Sequence, residues 1–312
     1  MENAKLAFEI IFPLAAMMGL GYALRLLKLW DELTLARMNG IVFRIFFPIQ
    51  LFTNIYHTEL ESAFDKRLTM FAIITVLVSA AAIYMVVPLF VKDASRCGVM
   101  IQGAYRSNFI LFGLPIAAAV SGGGGAGVAS VLIAFIVPIF NMISVVILER
   151  YRGAKPNIKK MLIGIASNPL IITSITGLLV LKLGIHLPDM LDKTMTDISK
   201  VNTPLALMVL GGTFRFSAVR ANLRALIAAM TVRLIIVPAV FLPIAIGMGF
   251  HGVQLAVLLG MYAAPTAVSS FTMAQQMDAD YELAGQIVVF SSLCSVLTIF
   301  GWVFLFKQLG YL

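Results

Sequence analysis

A chain of 312 residues that is 60% hydrophobic and 12% charged, with a mean hydropathy of +0.97, is not a soluble globular domain, which carries about 25% charged residues. At roughly 30 residues per span and loop, its length allows about ten transmembrane helices and leaves nothing for a separate soluble domain. The formal charge of +8 does not point to nucleic acid, because the basic residues gather at the ends of apolar runs, where they orient a chain in the bilayer.

The apolar runs predict ten helices, at 6–26, 35–56, 68–91, 97–121, 127–149, 161–184, 198–216, 223–248, 252–276 and 284–309. They are continuous rather than alternating, which excludes barrel strands and gives an all-α polytopic membrane protein. The first run has neither a basic leader nor an A-x-A cleavage pattern and reads as a retained span. Cys97 and Cys294 stand alone, so neither a disulfide framework nor a metal site is expected, and no cofactor is indicated. Thirteen lysines and arginines fall in the loops after spans 1, 3, 5 and 7, against seven on the opposite side. The positive-inside rule then puts both termini outside. The loop between spans 9 and 10 departs from this bias, being acidic through Asp278, Asp280 and Glu282.

An internal repeat runs through the prolines. Pro13 and Pro169 each precede a glycine by eight residues (Gly21, Gly177) and another proline by thirty-five (Pro48, Pro204). Pro88 and Pro115 are twenty-seven apart, as are Pro238 and Pro265. Two five-helix halves, 1–150 and 151–312, are expected. Because five is odd, the second half enters from the opposite face and the repeat is inverted.

Two spans are interrupted. The fourth contains Gly113-Leu114-Pro115 and the ninth Ala264-Pro265-Thr266. Proline removes a backbone donor and clashes with the carbonyl four residues back, so each helix should kink or unwind there. In lipid, broken backbone survives only where protein buries it or it lines a wet cavity. Each break is expected to leave a half-helix whose N-terminus, after Pro115 or Pro265, points at the membrane centre. Such tips carry partial positive charge and unpaired N–H groups, which favour a carboxylate. Asn108, before the first break, and Asn141, on the fifth span, can donate amide hydrogens to it; either can instead serve as interhelical glue. Thr266 can donate its hydroxyl or cap its own half-helix. Arg106 and Arg44 are candidate attractors for an anion, whereas Arg233 reads as snorkelling to the interface.

Carboxylates are scarce within the spans: Glu9 and Glu149 sit near span ends, and His57, His186 and His251 read as loop residues. Gln275 and Gln276, candidates for an amide-lined sodium site, read better as an exposed helix end. Coupling is left open. The glycines at 122–125 are not a phosphate loop, since no strand precedes them and no Gly-Lys-Ser/Thr follows. No Ser/His/Asp set, metal spacing or paired carboxylates suggest an enzyme.

On Arg106-Ser107-Asn108 with Gly113-Leu114-Pro115, on Ala264-Pro265-Thr266-Ala267, and on Asn39 and Pro48, the chain resembles the auxin efflux carrier family. The resemblance covers essentially the whole chain, with a minimal central loop. It implies ten helices in a five-plus-five inverted repeat, with the fourth and ninth spans crossing between a scaffold and a transport group. It also implies a bacterial inner-membrane, elevator-type transporter of a small organic anion (malonate-like acids for bacterial members), often homodimeric. The carboxylate-holding asparagines of the family map onto Asn108 and Asn141. The charged pair that plant members carry on the third span is missing, because this chain reads Thr75-Val76-Leu77-Val78-Ser79; auxin itself is not the expected substrate. A sodium-coupled symporter of the bile-acid type is the alternative, separable by the sodium dependence of uptake.

Overall fold

The computed structural model describes residues 2–58, 64–121, 125–152 and 158–312. The glycines at 122–124 and the central loop at 153–157 lie outside the described residues. Thirteen helical segments are described: α1 (Glu2–Leu26), α2 (Glu32–Tyr56), α3 (Lys66–Phe90), α4 (Ala94–Tyr105), α5 (Phe109–Val120), α6 (Gly125–Arg150), α7 (Ile158–Ala166), α8 (Pro169–Leu183), α9 (Asp189–Thr213), α10 (Phe216–Gly247), α11 (Val253–Ala263), α12 (Ser269–Gln276) and α13 (Tyr281–Gln308). Five of them, α2, α3, α6, α10 and α13, are long and apolar enough to cross a membrane. Helices satisfy every backbone polar group within the segment, which a bilayer demands. The outer surface is apolar as well, with Met85, Phe90 and Leu297 exposed. The protein is an all-α polytopic membrane protein.

Aspartates start several of these helices. Asp31, Asp65, Asp93 and Asp280 each accept the amide three residues on, from Thr34 (2.7 Å), Leu68 (3.0 Å), Arg96 (2.8 Å) and Leu283 (3.0 Å). Each such cap contributes about 1 kcal/mol by pairing an orphan N–H. The Thr34 hydrogen bonds also hold the exposed Asp31 carboxyl below the usual carboxylate range.

Two expected spans differ in the structure. The run 161–184 is two helices, α7 and α8, parted at Ser167-Asn168. Asn168 caps α8 through the Leu170 amide (3.0 Å), and Pro169 takes the first helical position, where its missing donor costs nothing. The seventh expected span, α9, begins at Asp189 rather than 198; Asp189 and Asp192 in its first turn suit the positive end of the dipole.

Three of the prolines within helices are accommodated by wide turns. A π-helical turn directly precedes the residue before Pro48, Pro115 and Pro238 (Val42–Phe46, Phe109–Gly113 and Val232–Ile236). The amides of Phe47, Leu114 and Val237 reach back five residues instead of four, to Val42, Phe109 and Val232. The shift makes room for the ring, and it leaves a carbonyl four residues before the proline without its usual donor. At Pro238 that carbonyl is Leu234, and the Trp302 indole N–H of α13 supplies the bond (3.0 Å). Trp302→Phe is expected to destabilise the protein by about 1–2 kcal/mol, the cost of an orphaned buried acceptor, read as a lower melting temperature in detergent.

Close helix crossings are made by glycine. A Cβ on Gly21 of α1 would stand 1.8 Å from the Met208 carbonyl oxygen of α9, and one on Gly211 of α9 would stand 1.9 Å from that of Met18. In α8, Gly177 lies against Ile55 of α2. At one end of the bundle, the loops after α1, α4's start, α6, α9 and α12 meet through ion pairs: Arg215–Glu32 (2.5 Å), Arg215–Glu282 (3.5 Å), Arg96–Asp280 (3.7 Å) and Arg152–Asp278 (2.7 Å). The acidic segment Asp278–Glu282 thus faces basic loops. At the other end, His57 meets Asp192 (2.8 Å) and Gln254 meets Asp65 (2.5 Å).

Candidate functional site

The centre of the molecule is a crossover of two broken helices. The helix is interrupted at Arg106-Ser107-Asn108 between α4 and α5, and at Ala264 to Val268 between α11 and α12. The two extended stretches meet as a single antiparallel bridge, Ser107 with Thr266. The Asn108 amide donates to the Pro265 carbonyl (2.8 Å). Ser107 Oγ donates to the Met261 carbonyl and Thr266 Oγ1 to the Gly103 carbonyl, both at 2.7 Å. Each break therefore ties itself to the helix before the other. Buried backbone groups freed from a helix need such partners.

The location of the first break differs from the expectation built on Pro115. Pro115 lies in the second turn of the half-helix, and its clash is absorbed by the π-turn before it. The half-helix starts at Asn108-Phe109. In the ninth span the expectation and the structure agree, for Pro265 stands in the break itself. Pro115 and Pro265 are consequently not equivalent positions, and their equal spacing from Pro88 and Pro238 does not superpose the two breaks.

The N-terminal ends of α5 and α12 border one cavity, of about 60 Å³. One wall carries Arg106, Asn108 and Ser269. The facing wall comes from α2 and α9, with Gln50, Asn202 and Thr203, which are tied together by Asn202 Nδ2 to Gln50 Oε1 (2.6 Å) and Gln50 Nε2 to Thr203 Oγ1 (3.1 Å). Phe47, Val137 and Phe140 complete it with apolar surface.

Arg106 dominates the electrostatics. It is 2% exposed and donates to Asn141 Oδ1 (2.5 Å), Ser269 Oγ (2.7 Å) and Ser144 Oγ (3.4 Å), with the Met273 sulfur also in reach. These partners are neutral, and no carboxylate meets Arg106 among the described residues. A buried charge without a counter-ion is expensive. The Nδ2 groups of Asn108 and Asn141 are likewise buried without a protein acceptor.

The remaining expected site residues fall elsewhere. Asn141 reaches the cavity only through Arg106. Gly113 and Pro115 lie further along α5, where a Cβ on Gly113 would meet the Gly260 carbonyl oxygen of α11 at 2.7 Å; this glycine serves close packing. Thr266 is fully buried with its hydroxyl on Gly103, and Pro265 presents its carbonyl to Asn108. Arg44 points outward from α2 beside exposed Ile41 and Ile45. Gln275 and Gln276 are half-buried rather than exposed, Gln276 lying near Gly40, and neither lines the cavity. Arg233, expected to snorkel, is instead 1% exposed.

The sequence reading passed over Gln50, Asn202, Thr203 and Ser269. Gln50 and Asn202 were visible as amides two residues from the paired prolines Pro48 and Pro204. Asn39, noted only for the resemblance, donates to the Thr272 carbonyl of α12 (3.2 Å).

A family model described as membrane transport protein matches residues 6–303. An uncharacterized transporter of Methanothermobacter thermautotrophicus is 22% identical over 296 residues, covering 94% of this chain and 96% of the relative. With its broken, crossing helices and the full-length match, the chain belongs to the membrane transport protein family of auxin efflux carriers.

Proposed function

We propose that the protein is a secondary transporter of small organic anions, with carboxylates of malonate size as the preferred class, bound in the cavity beside the crossover. The observation that carries this is Arg106, a buried cation on the cavity wall with only neutral partners. Two helix N-termini add roughly half a positive charge each. With Arg106 the cavity wall carries about two positive charges, which suits a dicarboxylate better than a neutral or cationic solute. Asn108 adds a directed donor, and the apolar wall of Phe47 and Phe140 suits a short carbon chain.

Two inverted five-helix halves, 1–150 and 151–312, form the framework of this reading. Exchanged contacts support it: α1 packs on α9 as α8 packs on α2, and α3 packs on α6 as α10 packs on α13. The cavity lies between the crossover group and the α2–α9 wall, the seam along which an elevator-type motion would carry substrate. Placement in a bacterial inner membrane with both termini outside rests on the basic loops, which meet at one end of the bundle.

Asn108→Ala tests the site. Removing one unpaired donor is expected to weaken dicarboxylate binding about 5- to 10-fold, a loss of about 1 kcal/mol, with the melting temperature unchanged. Thermal shifts across mono- and dicarboxylates, followed by uptake of the best ligand into proteoliposomes, read both. An unchanged affinity would move the site elsewhere, and ligands that bind without being carried would overturn transport.

A further inference from the structure

The crossover has two electrically opposite sides. The N-termini of α5 and α12 face the cavity, and the C-termini of α4 and α11 face the other way. A helix C-terminus presents carbonyls without donors and roughly half a negative charge, so two of them brought together deep in the protein make a site for a cation of about one charge. Arg233 occupies it. This arginine sits in the π-turn of α10 and is 1% exposed. Its Nε donates to the Ala264 carbonyl (2.8 Å), Nη1 to Tyr105 (3.0 Å), and Nη2 to Met261 (2.8 Å) and Tyr262 (2.9 Å). Tyr105 ends α4, and the other three carbonyls end α11 or follow it directly.

We propose that Arg233 is a tethered cation, positioning the crossover by joining the C-terminal ends of both half-helices where a bound alkali ion would otherwise be needed. A single ring of carbonyl oxygens from two broken helices is the ligand chemistry that suits a monovalent metal ion. Here the guanidinium supplies the same charge permanently, and its planar fork serves four acceptors at once. Arg106 and Arg233 therefore divide the work. Arg106 has neutral partners and faces the cavity; Arg233 has its carbonyls filled and no access to the cavity lining. One consequence, transport independent of sodium, rests on the transport reading above; the positioning role does not.

Stability measurements in detergent decide the role without any uptake assay. Arg233→Met, of similar volume but uncharged, leaves the buried carbonyls of Tyr105, Tyr262 and Ala264 unpaired, Met261 alone keeping a donor in Ser107 Oγ, and is expected to lower the melting temperature by about 10 °C. Arg233→Lys keeps the charge and should recover at least half of that loss. Arg233→Ala opens space for a free cation, so millimolar alkylguanidinium should raise its melting temperature saturably, while choline at equal ionic strength does not; the wild-type protein should respond to neither. Equal melting temperatures for Arg233→Met and Arg233→Lys would overturn the proposal. So would a saturable stabilisation of the wild-type protein by sodium or lithium over choline. Should Arg233→Ala not accumulate as folded protein, the Met and Lys pair decides.

Discussion

Arg106→Gln is expected to lower dicarboxylate affinity at least 100-fold while leaving the empty protein as stable as the wild type, or more so. The two signs have one cause. The guanidinium is taken out of water without a counter-ion, which costs several kcal/mol when no ligand is bound. A bound carboxylate repays part of that cost through charge-assisted hydrogen bonds, and a 100-fold change corresponds to about 2.7 kcal/mol. Glutamine is shorter and neutral, yet can still hydrogen bond to Asn141 or Ser269, so the polar cluster is not left wholly unpaired. A residue that served only to hold α4 to α6 would behave oppositely, with stability falling and affinity following it. Calorimetric titration with a dicarboxylate, together with melting in the absence of ligand, separates the cases. Stability and binding falling together would remove Arg106 from the ligand site.

The same residue marks how far sequence reading reaches. Spans are legible because a bilayer requires long apolar runs, and α3, α6 and α13 lie within a few residues of where the runs place them. The broken helices are legible as interruptions, since proline and glycine disturb hydrogen bonding locally. Their exact position is not: a π-turn absorbs Pro115, and the true gap at Arg106 to Asn108 carries no proline at all. Asn108 and Arg106 could be singled out as polar residues in an apolar run. Their partners could not, because Gln50 lies 56 residues before Arg106, and Asn202, Thr203 and Ser269 lie more than ninety after it, joined only by the fold. Arg233 shows the limit most sharply. Lipid headgroups and helix carbonyls can both satisfy a guanidinium, and only the meeting of α4 and α11 decides between them.

Gly260→Ala and Gly113→Ala are expected to force the crossover apart and abolish transport. The two glycines face each other across α11 and α5. A Cβ on Gly260 would stand 2.5 Å from the Gly113 carbonyl oxygen, and one on Gly113 would stand 2.7 Å from that of Gly260. These two carbonyls are backbone, which cannot rotate away as a side chain can, and a Cβ on Gly113 would also stand 2.2 Å from the Phe109 ring one turn earlier in α5. Small residues allow such close approach in membrane bundles, where packing takes the place of hydrophobic exclusion. Relief requires α5 to move from α11, and the movement strains the Ser107–Thr266 bridge and the Asn108–Pro265 bond that hold the cavity's edge. Overpacking typically costs about 1–3 kcal/mol, and here it falls on a junction that also positions the α5 N-terminus. Gly301→Ala in α13 is the control: no atom lies within 4 Å of its new Cβ, and alanine is the better helix former by about 1 kcal/mol. Melting temperatures and uptake should therefore fall for Gly260→Ala and Gly113→Ala and hold for Gly301→Ala. Full transport by Gly260→Ala would mean that the half-helices do not pack this closely in the working protein.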